Sequence, residues 1–127
     1  MRKYFFIFFI SLSSNCQNLV EKITFQSANP FSFHDVITDL KNQEKQEVYG
    51  ELVIPYDSLN PDKKYPLVLG VAGSLGWKNH HYEYLIMYQN LGFATFELNS
   101  FKSRKIESTV GDQTQVTTAA MVLDAYK

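Results

Sequence analysis

The chain has 127 residues, 45% hydrophobic and 20% charged, with a formal net charge of -1 at neutral pH. This composition is typical of one ordinary globular domain and excludes a disordered chain. Twelve Lys and Arg residues face thirteen Asp and Glu residues. We therefore expect no broad basic surface and no nucleic-acid partner, because such binding depends on the release of counterions by clustered cations.

The first sixteen residues predict a signal peptide. Arg2 and Lys3 precede an apolar run, Tyr4 to Leu12, and small polar residues follow it. The run is shorter than the roughly 20 residues that cross a bilayer, so we expect export to a periplasm or the extracellular medium, with an uncleaved anchor or a misplaced start codon as alternatives. The sole cysteine, Cys16, resembles the lipidated cysteine of bacterial lipoproteins, and a lipid anchor there is a further alternative.

Residues 17–46 do not predict a definite structure. Ile23 to Phe25 favours a short strand, and the residues from Asn29 to Phe33 favour a loop. The stretch from Asp39 to Glu47 mixes charges and contains few apolar residues. We expect it to be a solvated connection that leads into the main domain, residues 47–127.

The pattern sharpens after residue 46. Alternating residues predict a strand over Glu47 to Ile54, and an apolar run predicts a buried strand over Leu67 to Ala72. Helical spacing follows from Tyr82 to Gln89, with Gly92 as a left-handed stop, and Phe93 to Leu98 is again extended. The strand–helix–strand order implies parallel pairing through a right-handed crossover. We therefore expect an α/β fold with a mostly parallel sheet and flanking helices.

A last helix is predicted near the end of the chain. Its apolar positions are Val116, Ala119, Ala120, Leu123 and Tyr126. Asp112, with Gln115 three residues later, is similar to a capping box and predicts the start of this helix.

Two loops are expected at the carboxyl edge of the sheet: Gly73 to Asn79 and Asn99 to Gly111. Ligands of open α/β sheets bind at that edge. The glycines of the first loop allow backbone N–H groups to approach an anion, which would be a developing oxyanion or a phosphate.

A longer and more specific run of residues then follows. It consists of Ala94-Thr95-Phe96-Glu97-Leu98-Asn99-Ser100-Phe101, Arg104, Ser108-Thr109-Val110-Gly111-Asp112-Gln113, Gln115-Val116, Ala119-Ala120-Met121 and Asp124-Ala125. Through these residues the chain, from about Glu47 to its end, resembles the N-terminal part of the dienelactone hydrolase family, within the α/β-hydrolase superfamily.

The resemblance implies hydrolysis of a small ester or lactone by a nucleophile, a histidine and an acid, without a cofactor. It also implies that the glycine loop supplies one backbone N–H of an oxyanion hole, through Gly73 and Ser74. Leu75 and Trp77 would then contact substrate, although loop packing is the plainer interpretation of Trp77. Arg104 is a candidate for holding a substrate carboxylate, against the alternative of a solvated loop arginine.

The sequence contains no Gly-x-Ser-x-Gly motif, and we expect the chain to be a fragment that lacks the nucleophile. The Ser74 side chain has no evident base to activate it. Neighbouring His80 and His81 point in different directions at a helix start, so we expect no metal site.

Two other classes of protein remain open. Gly70, Gly73 and Gly76, with Glu97 on the next strand, weakly suggest a dinucleotide-binding oxidoreductase, although the spacing is not Gly-x-Gly-x-x-Gly. A non-catalytic exported binding domain would use the same sheet edge. Tight binding of a nicotinamide cofactor would distinguish the first from a hydrolase.

Overall fold

The computed structural model describes residues 17–57 and 59–127. The predicted signal peptide and Cys16 lie outside the described residues. In the described part of the chain, no helix has both the length and the apolar character needed to cross a membrane.

Four strands form one sheet in the order β1-β2-β4-β3. Their bounds are β1 Gln17–Ala28, β2 Lys45–Tyr56, β3 Leu67–Val71 and β4 Ala94–Leu98. β1 pairs with β2 and β2 pairs with β4 in antiparallel fashion, while β3 pairs with β4 in parallel. Residues 17–46 therefore include a full strand that belongs to the same sheet as the rest of the described chain.

The mixed α/β class predicted from the sequence is confirmed, but the prediction of a mostly parallel sheet is wrong. Among the described strands, only the β3–β4 pair is parallel, and it is the pair to which the crossover rule applies. β1 and β2 are joined by residues 29–44, which reverse the chain direction, and β2 then runs antiparallel to β4. β1 alternates apolar residues with polar ones such as Lys22 and Thr24, as antiparallel strands with one solvated face do.

Helices lie on both faces of the sheet. α1 spans Phe33–Thr38 and is followed by a short 3-10 helix at Leu40–Asn42; α2 spans Asn79–Asn90, α3 Ser100–Ser103 and α4 Thr118–Tyr126. α2 packs over Gly70 of β3 through Leu85. α4 lies on the opposite face of the sheet. There, Asp124 and Ala125 of α4 line an apolar pocket together with Leu69 of β3 and Phe96 of β4.

The predicted stop of α2 is confirmed, since Gly92 has a φ of 85°. The predicted start of α4 is wrong. The helix begins at Thr118, and the hydroxyl of Thr117 caps it by accepting a hydrogen bond from the Ala120 amide. Asp112 instead accepts a hydrogen bond from the Thr114 amide within the preceding loop. Aspartate forms such a local turn as readily as a helix cap, which explains the misplaced start.

Candidate functional site

The two loops predicted at the carboxyl edge do meet there. The Thr109 amide donates a hydrogen bond of 2.8 Å to the Ser74 carbonyl, and the Ser108 hydroxyl donates a second one of 3.0 Å to the same oxygen. Thr109 is buried. The loop after β4 therefore holds the loop after β3 in place through a single carbonyl group.

The loop after β3 is a tight turn. The Gly76 amide donates to the Gly73 carbonyl at 2.8 Å, which makes Ser74 and Leu75 the two central residues. Gly76 has a φ of 70°, and a Cβ atom at that position would lie 2.7 Å from the Glu107 carbonyl oxygen. Both the backbone conformation and the close approach of the second loop therefore require glycine at position 76.

The turn orients two amide groups. In a trans peptide the N–H points opposite to the carbonyl of the same peptide unit. The Gly73 and Ser74 carbonyls both accept hydrogen bonds, so the directions of the Ser74 and Leu75 N–H groups are fixed as well. Within residues 17–57 and 59–127, neither of these two amides donates to a protein acceptor. They are two neighbouring, oriented donors on an exposed turn.

A cleft of about 330 Å³ lies beside this turn, and Ser74 is part of its lining. Its walls combine hydroxyl and amide groups from Thr109, Gln113 and Thr117 with the rings of Phe31 and Phe33. The two rings are 69% and 51% exposed, respectively. Among the described residues, no ionisable side chain lines the cleft.

Phe31 and Phe33 were missed as site residues by sequence analysis, which placed them in a loop of no stated role. The sequence pattern that could have located them is Ser32 followed three residues later by Asp35. In the structure these residues form a reciprocal capping box that starts α1. This box positions the two phenyl rings on either side of Ser32 at the cleft.

Leu75 and Trp77, the other predicted residues of the first loop, are placed differently. Leu75 is 58% exposed at the tip of the turn and does not line the cleft. The Trp77 indole is half-buried, donates a 2.9 Å hydrogen bond to the Leu98 carbonyl and stacks on Tyr82. Its N–H is therefore used within the protein, in agreement with the loop-packing interpretation.

The space beside Gly70, one of the three glycines that suggested dinucleotide binding, is filled by packing. A Cβ on Gly70 would lie 2.7 Å from Cη2 of Trp77, so the indole fills the space above that residue. Glu97 is buried, with its carboxylate 3.5 Å from the Lys102 amine. Burial alone would lower the pKa of Lys102, but the Glu97 carboxylate together with Tyr82 and Tyr49 raises it overall. The Glu97 carboxylate and the Lys102 amine thus form an ion pair with each other.

Arg104 lies inside the protein rather than in the cleft. Its Nη atoms contact the two carboxylate oxygens of Asp124 at 2.7 and 3.1 Å. The Nη atoms also donate to the carbonyls of Ser100 and Ala28, and Nε donates to Asn29. These contacts use all five N–H donors of the guanidinium group, which favours a structural role over the carboxylate-binding role expected from the sequence.

The paired histidines of α2 are also held locally. Nδ1 of His81 accepts a 2.9 Å hydrogen bond from the Lys78 amide, and the rings of His80 and His81 lie 3.9 Å apart. In the described part of the chain, no group of three or more His, Cys, Asp or Glu residues is arranged to hold a metal ion.

Comparisons of the chain with protein-family models, with curated proteins and with solved structures found no match. The geometry of the turn and the cleft is therefore the basis for the function proposed below.

Proposed function

We propose that the chain is the N-terminal portion of an exported ester or lactone hydrolase of the dienelactone hydrolase type, within the α/β-hydrolase superfamily. In this proposal the turn at Gly73 and Ser74 supplies an oxyanion-binding donor, and the chain does not supply the nucleophile. The substrate is a small molecule that carries an acyl carbon. The proposed export depends on residues 1–16.

The observation that carries the proposal is the pair of neighbouring amides at Ser74 and Leu75, which donate to no acceptor among the described residues and belong to a turn whose residue Ser74 lines the cleft. Acyl transfer puts negative charge on a carbonyl oxygen in its tetrahedral intermediate, and fixed backbone donors stabilise that charge without reorganising during the reaction. Because the Gly73 and Ser74 carbonyls are already bonded, the directions of the Ser74 and Leu75 amides are fixed in the absence of substrate.

The position of the turn in the fold gives further support. α/β-hydrolases take one oxyanion donor from the loop between the third strand and the helix that follows it. In this chain, residues 72–78 connect β3 to α2 at the carboxyl edge of the parallel pair.

The proposal is tested by p-nitrophenyl acetate hydrolysis with the full-length product of the gene. Ser74→Pro removes the amide donor, and position 74 is the second residue of the turn, where proline is favoured. We expect kcat to fall by about 100- to 1,000-fold. Ser74→Ala keeps the amide and removes only the hydroxyl, so its kcat should stay within about threefold of the wild type.

Two results would count against the proposal. One is a Ser74→Pro enzyme that is folded and turns over the ester at the wild-type rate, which would exclude the amide from catalysis. The other concerns residues 1–127 by themselves, for which we expect no activity above background. A burst of p-nitrophenol from them would show that a nucleophile is present after all.

A further inference from the structure

We infer that a cavity between the end of β1 and the end of α4 binds a small organic anion with an apolar tail. The cavity has a volume of about 450 Å³ and is lined by residues of β1, of the 3-10 helix at Leu40–Asn42, of β2 and of α4. It shares no lining residue with the cleft beside Ser74. The inference is therefore independent of the proposed function, and either can fail while the other holds.

Three exposed lysines supply positive charge to this cavity. Lys41 belongs to the 3-10 helix, Lys45 begins β2 and Lys127 directly follows α4, and all three line the cavity. Among the described residues, no Asp or Glu lines the cavity and none of the three amines forms an ion pair with a carboxylate. An anion that enters therefore meets positive charge that no protein carboxylate neutralises.

The acidic residues closest to the cavity in the chain have other positions or partners. The Asp39 carboxylate accepts a hydrogen bond from a side chain of its own turn. Glu44 precedes Lys45 in the chain but does not line the cavity. Both carboxylate oxygens of Asp124 are bonded to Arg104. The lysine amines are therefore available to a ligand.

The buried part of the lining is apolar apart from one hydroxyl group. Ala28 and Leu123 are buried, and Leu40 is half-buried. Ser27 is buried beside them, and its hydroxyl has no hydrogen-bond partner among the described residues. A buried hydroxyl without a partner is unfavourable. An acid group that enters the cavity would accept the hydrogen bond that this hydroxyl does not make within the protein.

The combination of lysines and apolar side chains defines the class of ligand. A volume of 450 Å³ lies within the range of small-molecule sites, about 300–1,000 Å³. An inorganic anion would leave Leu40 and Leu123 uncovered, whereas a short aliphatic chain removes their surfaces from water. Lysine amines are flexible point charges rather than a rigid fork. The site is therefore selective for negative charge joined to an apolar chain, and less for the shape of the head group.

Three probes test the two parts of this ligand separately. Hexanoate carries both the charge and the chain, hexanamide keeps the chain without the charge, and acetate keeps the charge without the chain. Each is titrated into the full-length product of the gene, so that whatever follows Lys127 is present, while amide NMR signals of the cavity residues are followed. We expect hexanoate to bind saturably, hexanamide about fivefold more weakly and acetate about tenfold more weakly.

Removal of two lysines should weaken binding of the anion alone. In the double variant Lys41→Gln with Lys45→Gln, we expect the Kd for hexanoate to rise by about two- to fivefold for each lysine, the range for exposed ion pairs. The Kd for hexanamide should not change. The matched control is Lys63→Gln with Lys64→Gln, which removes the same charge from two exposed lysines in the loop that follows β2. It should leave both affinities as they are.

Ser27→Ala tests the unpaired hydroxyl. Since no described residue bonds to this hydroxyl, its removal should leave the free energy of unfolding unchanged or higher. The Kd for hexanoate should nevertheless rise about threefold, because the anion loses a donor. A purely structural hydroxyl would change the stability and not the Kd, so an unchanged Kd overturns the binding role of Ser27.

The inference is supported if hexanoate binds best at the cavity and its preference over hexanamide is lost only in the Lys41 and Lys45 variant. Three results overturn it. The first is a folded protein whose cavity signals do not move with hexanoate, or in which only signals near Ser74 move. The second is equal affinity for hexanoate and hexanamide. The third is an equal loss of hexanoate affinity in both double variants, which would indicate attraction to net charge rather than a site.

Discussion

Arg104 and Asp124 form a two-point ion pair between side chains that are 5% and 0% exposed. The pair joins the end of α3 to α4 and, through the Ala28 carbonyl and Asn29, to the end of β1. α4 begins beside the cleft, with Thr117 in its lining. By holding α4 in place, the pair also positions Thr117, which caps this helix and lines the cleft.

Removing one partner of this pair should be strongly destabilising. Arg104→Ala leaves the Asp124 carboxylate buried without a counter-ion, and we expect a loss of about 3–5 kcal/mol in the free energy of unfolding. Urea denaturation measures it. Replacing both partners, as Arg104→Met with Asp124→Leu, should restore only part of the loss, because no charge remains buried but the Ser100 and Ala28 carbonyls still lose their donor. A single-variant loss below about 1 kcal/mol would show that the pair is exposed in solution.

Gly70→Ala should disturb the only tryptophan. The new Cβ would lie 2.7 Å from Cη2 of Trp77, so the indole must move away from its hydrogen bond to Leu98. We expect the free energy of unfolding to fall by about 1–3 kcal/mol. We also expect a red shift in tryptophan emission, which reports Trp77 alone because the chain has one tryptophan. Gly73→Ala is the matched control, since its Cβ meets nothing within 4 Å. Equal effects of the two substitutions would contradict the packing described for Trp77.

Asp35 should titrate at an unusually low pH. The Ser32 hydroxyl and amide both donate to its carboxylate, and these hydrogen bonds hold its pKa below the ordinary 3.8. Because the folded pKa is below the unfolded one, the stabilising contribution is fully present above pH 3.8 and is lost as the pH falls through the folded pKa.

NMR titration of the Asp35 carboxylate tests this expectation. Ser32→Ala should return the pKa toward 3.8, because the side-chain hydrogen bond from Ser32 is the largest cause of the shift. Thr38→Ala, which removes a hydrogen bond to the His34 carbonyl at the other end of α1, should leave the low value in place. An Asp35 that titrates at 3.8 in the wild type would show that the capping box is open in solution.

β3 should promote self-association of the isolated chain. It stands at the end of the four-stranded sheet formed by the described residues, and Leu67, Leu69 and Val71 are exposed on it. Unpaired edge strands template pairing with other chains, and a lysine on the edge opposes that pairing. Leu67→Lys should therefore raise the monomer fraction in sedimentation velocity. Ile86→Lys, on α2, should change the monomer fraction less. Equal effects of Leu67→Lys and Ile86→Lys would instead indicate general hydrophobic association.

Local patterns were enough to predict part of this fold. The β3–α2–β4 unit follows from an apolar run, a helical period and the Gly92 stop, all within short stretches of chain. Of β1, only a short strand at Ile23 to Phe25 was predicted, because half of the residues of β1 are polar and its register is set by β2, about 30 residues away. The antiparallel order of the sheet escaped prediction for the same reason.

The candidate site was likewise predictable only in part. The turn at Gly73 and Ser74 could be predicted because glycine marks it directly. The buried role of Arg104 could not, since its partner Asp124 is 20 residues further along the chain and its other acceptors lie near residue 28. Side-chain contacts of that length depend on packing, which a single sequence does not reveal.

The most direct test of the account is whether the Ser74 and Leu75 amides bind an oxyanion. Methylphosphonate, whose charged oxygens imitate those of a tetrahedral intermediate, is titrated into the chain while amide NMR signals are followed. We predict that the signals of Ser74 and Leu75 move first and furthest, that Ser74→Ala binds methylphosphonate with unchanged affinity, and that Ser74→Pro, which keeps only the Leu75 amide, binds it more weakly. Saturable binding elsewhere with these two amides unmoved, in a folded chain, would contradict the central claim.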